Sequence, residues 1–292
     1  MKFILIAEEK KAQSFFPWWQ VIIVIVVVSL TFFIFFPQRL LEKTLSYSVP
    51  SPAVLNYLQA FSKLYPHDVQ LSIRIIEQEI GLGLIKQARE NAEKLRKNAP
   101  NPYILNQLRW IDFLILRYQA YNSKPNTSQR ISYLRQLRQM TAALENADLN
   151  PQQLKTIARE SLYVAQPKVA LTFYNRLFDM NELNSPEDLL EGGNIALQAN
   201  AQQDSAKFYK VIYSKTFNEA EKKTYGLKVV KALWAANHVQ EAFFFAQQLP
   251  EELINDRDTL IFLSNLALAA NHPEVAEKYA VKALLINANT HQ

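Results

Sequence analysis

The chain has 292 residues, of which 49% are hydrophobic and only five are glycine. A chain of this length can bury a substantial core, but so few glycines argue against sheet-and-turn folds and glycine-rich nucleotide loops, because both use glycine for positive φ. The sequence contains no cysteine, which excludes disulfides, thiolate zinc sites, iron–sulfur clusters and a cysteine nucleophile. We therefore expect an all-α chain.

The net charge of +5 is unevenly distributed along the sequence. Residues 86–138 contain eleven Lys and Arg against three acidic residues, a net charge of +8. Residues 139–200 contain four basic residues against eight acidic ones, a net charge of −4. The protein is therefore predicted to be electrically polarised along its length.

Residues 15–36 form a run of 22 residues without a charged side chain. At about 1.5 Å per residue such a helix can cross a bilayer core of about 30 Å. A secretory signal peptide would have a shorter apolar core and a small-residue cleavage site. We predict a single transmembrane helix, and the Lys and Arg residues of its flanks favour a cytoplasmic segment 1–14 and an exported C-terminal body.

Two repeating signals follow the anchor and a proline- and serine-containing linker at 37–52. Pro66 and Pro100 each close a predicted helix and are 34 residues apart, a period typical of helix-turn-helix solenoids. A small residue that permits close helix approach also recurs. Its copies are Ala170, Ala206, Ala242 and Ala276, with spacings of 36, 36 and 34, and Ala88 earlier in the chain.

The region 53–288 is predicted to form about six helix pairs, with residues 289–292 as a tail. The predicted helices are 53–65, 68–82, 84–98, 102–121, 127–146, 151–165, 168–180, 186–200, 203–215, 217–236, 239–249, 256–270 and 273–286. Gly192 and Gly193 lie inside the helix at 186–200, where we expect them to allow close packing of a neighbouring helix.

These repeats resemble the tetratricopeptide repeat (TPR) family. The residues that carry the resemblance are Leu263, Ser264, Ala276, Ala283 and Ala288 in the last unit, and Ala88, Leu95 and Pro100 in the first. The stretch from Phe36 to Asp68 is also similar to the juxtamembrane entry of the TPR part of the Pel polysaccharide export scaffold. The resemblance implies an all-α solenoid in a single-pass protein of the bacterial inner membrane. The flank charges predict that the solenoid lies in the periplasm.

The resemblance further implies a scaffold or assembly factor that binds other proteins of a membrane complex, in secretion, polysaccharide export or a similar process. TPR proteins hold peptides along the first helices of their pairs. Amide side chains can both donate and accept hydrogen bonds, and Lys attracts anionic groups. The predicted partner-binding residues there are Asn194, Gln198, Lys228 and Lys231.

A second candidate surface is the basic stretch that contains Arg130, Arg135 and Arg138. Anionic lipid or nucleic acid could bind such a stretch, and the alternative is a solvated helix face. Binding through the segment 86–138 and regulation of a membrane enzyme are therefore the two alternative functions. The four His residues lie at predicted turns or in the tail without a spaced second ligand, so we expect no enzyme, cofactor or metal site.

Overall fold

The computed structural model describes residues 18–28, 49–98, 101–250 and 254–289, and within these ranges it contains helices and no strand. The all-α prediction is therefore confirmed, and the helices after α1 begin and end within three residues of the predicted positions. The helices are α1 (18–28), α2 (Pro52–Leu64), α3 (Val69–Gly81), α4 (Ile85–Asn98), α5 (Pro102–Asn122), α6 (Ser128–Ala143), α7 (Pro151–Tyr163), α8 (Pro167–Asp179), α9 (Pro186–Gln198), α10 (Gln202–Lys215), α11 (Glu219–Ala235), α12 (Val239–Gln247), α13 (Arg257–Ala269) and α14 (Pro273–Asn289).

Helix starts are fixed by local capping chemistry. At α7 the side chain of Asn150 accepts a hydrogen bond from the Gln153 backbone N–H, and the Gln153 side chain accepts one from the Asn150 N–H. Pro151 follows as the first helical residue, where its missing N–H costs nothing. A cap of this kind stabilises a helix by about 1 kcal/mol. Further caps at Asp68, Asn101, Thr127, Ser185, Asn218 and Asp256 each accept a backbone N–H.

One turn geometry joins the two helices of five pairs. In the turn between α11 and α12, the Asn237 N–H donates to Trp234 O and the His238 N–H donates to Leu233 O, both at 2.9 Å. This pair of bonds requires a residue with positive φ, which Gly and Asn adopt at low cost. The equivalent residues, here called turn residues, are Gly83, Ala165, Asn200, Asn237 and Asn271, with φ between 56° and 78°.

The turn residues define the register of the repeat. The position five residues after each turn residue is small and almost completely buried in all five pairs. These residues are Ala88, Ala170, Ser205, Ala242 and Ala276. The assignment of Ala206 to this slot is therefore wrong by one residue, because the turn before α10 comes 35 rather than 36 residues after the preceding one. Ala206 is nevertheless buried, at 1% exposure.

Two compact units make up the chain, Met1–Leu95 and Arg96–Gln292. In the first unit α2 packs against α3 around Leu55, Leu58 and Leu71. The buried carboxylate of Glu79 accepts two hydrogen bonds from Asn91 at 2.8 and 3.1 Å. Burial raises the pKa of Glu79, and the bond from Asn91 and the charge of Lys94 lower it by a smaller amount.

In the second unit, helices pack against their neighbours in sequence. The helices of each pair pack together, and each pair packs on the next from α6 to α14. Contacts between elements near in sequence are typical of repeat proteins, so the unit fits the predicted α-solenoid. Its largest fully buried side chains are aromatic: Tyr174, Tyr209, Phe113, Phe173 and Phe208.

Aromatic rings form the joints between successive pairs. Phe178 of α8 meets Phe208 of α10 edge-on, with ring centroids 5.4 Å apart. Tyr213 of α10 meets Phe245 of α12 in the same way at 5.3 Å. In both joints the first ring lies thirteen residues after its turn residue and the second lies eight residues after the next one. The joints therefore repeat as closely as the turns do.

Helix α1 covers eleven of the 22 residues predicted to cross a membrane. The remainder of that prediction, residues 15–17 and 29–36, lies outside the described residues, as do the flank 1–14, most of the linker and the end of the tail. None of the helices that the structure describes is both long enough and apolar enough to cross a bilayer.

Candidate partner-binding surface

The first helices of the last four pairs expose equivalent residues along one face. The four positions lie thirteen, nine, six and two residues before the turn residue, a spacing that places them on one side of a helix. The second position is half-buried in every pair and the other three are exposed. We call this set the first-helix stripe: Gln152, Thr156, Arg159 and Tyr163 on α7; Glu187, Glu191, Asn194 and Gln198 on α9; Thr224, Lys228, Lys231 and Ala235 on α11; and Asp258, Phe262, Asn265 and Ala269 on α13.

All four residues that were predicted to bind a partner along the first helices fall on the first-helix stripe. Asn194 and Lys231 occupy equivalent positions on consecutive first helices, and Lys228 lies one turn before Lys231. Gln198 lies one turn after Asn194, next to the helix end. The fold therefore places the predicted residues on one face of neighbouring helices.

The two lysines of α11 contact aromatic rings. The Nζ atom of Lys228 lies 5.2 Å from the ring centroid of Tyr209 and 5.7 Å from that of Tyr225. The Nζ atom of Lys231 lies 5.5 Å from the ring centroid of Phe262. Cation–π contacts at exposed sites contribute about 0.5–1 kcal/mol and leave the ammonium hydrogens available. Neither lysine forms an ion pair with any residue that the structure describes.

Other basic residues between first helices are neutralised by carboxylates. Lys155 of α7 pairs with Asp188 of α9 at 2.8 Å, and Arg159 pairs with Glu191 at 3.2 Å. Most of the carboxylates of α9 thus form ion pairs with basic residues of α7. Lys228 and Lys231 differ from Lys155 and Arg159 because no described carboxylate forms an ion pair with either of them.

The ion pair between α11 and α13 also caps a helix. The carboxylate of Asp256 accepts hydrogen bonds from Lys223 Nζ and from the Thr259 backbone N–H, both at 2.8 Å. Partial burial acts to raise the pKa of Asp256, but these bonds outweigh burial and lower the pKa to about 2. Lys223 is therefore engaged, in contrast to the two lysines that follow it on α11.

The amide of Asn194 is held in place by a buried phenol. Tyr209 O–H donates to Asn194 Oδ1 at 2.9 Å, and burial raises the pKa of Tyr209, which keeps the phenol protonated. The Asn194 Nδ2 group makes no hydrogen bond to the described residues. Two donors of this amide therefore remain for a ligand.

Two glycines let the tyrosine approach α9. A Cβ atom on Gly193 would lie 2.5 Å from Tyr209 Cε1, and one on Gly192 would lie 2.9 Å from Phe208 Cε1. Such distances are far below van der Waals contact, so both positions require glycine for the observed packing. The predicted role of these glycines in close helix packing is confirmed.

Sequence reasoning did not connect the aromatic residues with this surface. Tyr209 is a core residue, at 1% exposure, but it also contacts Asn194 and Lys228. The Phe262 ring is tilted against that of Trp234, with ring centroids 5.2 Å apart, and it also contacts Lys231. The signal that could have found these contacts is the dipeptide Ala-Asn before each second helix at 199–200, 236–237 and 270–271, which fixes the register.

One of the three arginines of the basic stretch is held by neighbouring groups, and the other two are exposed. Arg130 donates to Tyr163 Oη at 3.1 Å and to Ser123 O at 3.4 Å, which turns it toward α7. Arg135 and Arg138 are exposed on α6. No family model and no curated protein matches the chain.

Proposed function

We propose that the chain is a membrane-anchored, TPR-like scaffold of a bacterial envelope complex, which binds an acidic segment of another protein on the first-helix stripe. Residues 15–36 form its anchor and the helix pairs lie in the periplasm. The resemblance to TPR proteins and the repeated turn geometry support the scaffold class. The first-helix stripe supports the binding of an acidic segment.

The surface of α1 supports the anchor. Every apolar residue of this helix is at least 44% exposed, and Trp18 at its start is 81% exposed. A helix that is apolar on all sides and exposed among the described residues suits a lipid environment. Aromatic residues such as Trp18 and Trp19 suit the headgroup region at one end of a membrane helix.

The observation that carries the binding proposal is the unneutralised pair Lys228 and Lys231 beside the oriented amide of Asn194. A carboxylate placed over this part of the stripe would accept hydrogen bonds from ammonium and amide groups. Hydrogen bonds to charged groups stabilise a complex by about 1.5–3 kcal/mol each. An aspartate, glutamate or C-terminal carboxylate of an extended peptide has the required chemistry.

The test compares two variants that remove the same charge. One variant replaces Asn194, Gln198, Lys228 and Lys231 by alanine. The matched control replaces Lys168, Lys215 and Gln203, which are exposed side chains off the stripe. Both proteins are expressed in native membranes, cross-linked, solubilised and purified, and their cross-linked partners are quantified by mass spectrometry.

We expect the stripe variant to lose one or more partners that the control variant retains at wild-type yield. Circular dichroism must show the same helix content for both variants. If the folded stripe variant recovers every wild-type partner at full yield, the stripe is not the binding surface. Equal loss in both variants would instead assign the effect to net charge.

A second measurement addresses the chemistry of the ligand. A library of short peptides that each carry one or more carboxylates is compared with the same peptides in amide form, using the full chain in lipid nanodiscs. We expect binding of the carboxylate form only, and a loss of affinity of at least tenfold in the Lys228→Ala, Lys231→Ala double variant. Equal binding of both forms would contradict an acidic ligand.

A further inference from the structure

The last helix pair has an apolar side that no described helix covers. It is formed by Ile261 and Leu268 of α13 and by Val281, Leu284 and Leu285 of α14, which are 40%, 58%, 49%, 69% and 61% exposed. We call these five residues, together with Ala280 and Glu277, the end face. Exposed apolar residues grouped on one helix pair mark interaction sites.

Earlier pairs show what covers the equivalent residues. Leu284 lies thirteen residues after its turn residue, as Phe178 and Tyr213 do. Those two rings pack against the next pair, on Phe208 and Phe245. Leu284 is the corresponding residue of the last pair and remains exposed.

The residue nine positions after the turn residue is also buried in earlier pairs and exposed in the last one. Tyr174 and Tyr209 are buried there, and each lies near a residue of the next first helix, Glu191 and Lys228 respectively. In the last pair this residue is Ala280, which is exposed. The end face is thus equivalent to surfaces that the following pair covers elsewhere in the described chain.

A carboxylate on the end face indicates which kind of helix can bind there. The position six residues after the turn residue is occupied by buried Leu171, Ala206 and Phe243 in the three preceding pairs. In the last pair it is Glu277, an exposed carboxylate with no hydrogen bond or ion pair to any described residue. A helix seated on the end face must therefore bring a positive charge to this carboxylate, because a neutral helix would desolvate it without compensation.

We propose that the end face binds one basic amphipathic α-helix of a partner protein, with the apolar side of that helix against Val281 and Leu284 and a Lys or Arg against Glu277. The helix takes a place like that of α11, the first helix that follows α10, which contacts Tyr209 and Tyr213. Helix α11 shows that a basic helix can serve in this position. Its Lys222 lies 5.3 Å from the ring centroid of Tyr213, and its Lys228 lies over Tyr209.

The test uses a synthetic peptide with the sequence of α11, Glu219–Ala235, as the probe. The chain contains no cysteine, so Val281→Cys creates one thiol on the end face and Phe217→Cys creates one on a loop residue that is 97% exposed elsewhere. The full chain in lipid nanodiscs is mixed with the peptide, which carries an added terminal cysteine, and disulfide formation is measured after mild oxidation.

We expect the Val281→Cys protein to form the disulfide at least five times faster than the Phe217→Cys protein. Adding Leu284→Asp to Val281→Cys reduces the rate to that of the loop control. Adding Glu277→Lys reduces the rate for the native peptide but not for a peptide in which Lys222 and Lys228 are replaced by glutamine. These results together establish both the apolar contact and the charge contact.

Three outcomes would overturn the proposal. One is equal rates for the Val281→Cys and Phe217→Cys proteins, and another is a rate unaffected by Leu284→Asp, as expected if the peptide displaced native α11 instead. The third is concentration-dependent dimers of the full chain that Leu284→Asp abolishes and that excess peptide does not dissociate. That result would identify a second copy of the chain as the occupant.

Discussion

Replacing Gly193 by alanine tests the packing between α9 and α10 most directly. The added Cβ would lie 2.5 Å from Tyr209 Cε1 and 2.9 Å from Cζ, so the ring must move in a core where it is 1% exposed. Overpacking of this kind costs about 2 kcal/mol, and the higher helix propensity of alanine returns about 1 kcal/mol. We therefore expect Gly193→Ala to lower the free energy of unfolding by about 1 kcal/mol.

The Tyr209→Leu background provides the control. Leucine has no atoms at the Cε1 and Cζ positions, so the two shortest contacts disappear. The remaining contact, at 3.0 Å from Tyr209 Cδ1, is relieved when the flexible leucine side chain turns away, and the propensity gain then dominates. In this background Gly193→Ala should raise the free energy of unfolding by about 1 kcal/mol. The sign of the effect thus reverses, and the coupling between the two positions is about 2 kcal/mol.

The assay is thermal and urea unfolding of the four full-length proteins in the same detergent, followed by far-ultraviolet circular dichroism. For a unit of this size, 1 kcal/mol corresponds to about 2–4 °C in Tm. Effects of Gly193→Ala that agree within about 0.5 kcal/mol in the two backgrounds would refute the reasoning. The helices would then not meet at this pair of residues.

Three further predictions follow from burial, charge and hydropathy. Ala242→Leu should destabilise the protein by about 1–3 kcal/mol through overpacking, whereas Gln203→Leu on the exposed side of α10 should be near neutral, and similar losses in both would contradict the register. Because the pKa of Asp256 is lowered, its contribution to stability is complete above about pH 4 and is lost as the pH falls toward 2. The carboxylate is partly exposed, so Asp256→Asn should remove only about 1 kcal/mol of this acid sensitivity in pH-dependent unfolding. An unchanged pH profile would argue against this contribution. Val26→Lys should reduce membrane insertion by about 2.5–3.5 kcal/mol, measured as release on carbonate extraction, and release of the wild-type chain would contradict the anchor.

Helix positions were predictable because amphipathic periodicity and proline punctuation act locally. Pro66, Pro151 and Pro186 mark boundaries that the structure reproduces within a few residues. The buried small residue was also predictable, because close approach of two helices leaves few choices at a crossing. These parts of the fold depend on short-range sequence signals.

The register of α10 was not predictable from alanine spacing alone. Ser205 and Ala206 are both small and both buried, so size does not distinguish which of them fills the slot. The turn residue decides the register, since Asn200 adopts positive φ and fixes the phase of the next helix. A left-handed asparagine is a weaker sequence signal than glycine, and Ala165 at the equivalent turn gives no signal at all.

The stripe could be predicted in part. Helical spacing placed Asn194, Gln198, Lys228 and Lys231 on first helices, and the structure shows them on one face. The rings under the two lysines could not be inferred, because they come from three different helices. Whether a lysine is neutralised depends on carboxylates far away in sequence, as the pair Lys155 and Asp188 illustrates.

The repeated joints have a consequence for how such a chain can change in length during evolution. Phe178–Phe208 and Tyr213–Phe245 are equivalent joints, and their second rings are 37 residues apart, as are the turn residues Asn200 and Asn237. Deletion of one such unit would bring Phe178 against Phe245 and leave an equivalent interface, and duplication would add one. Each event would shorten or lengthen the first-helix stripe by four residues without creating a new kind of contact. The chain can therefore change its length by whole helix pairs, and the length of the first-helix stripe changes with it.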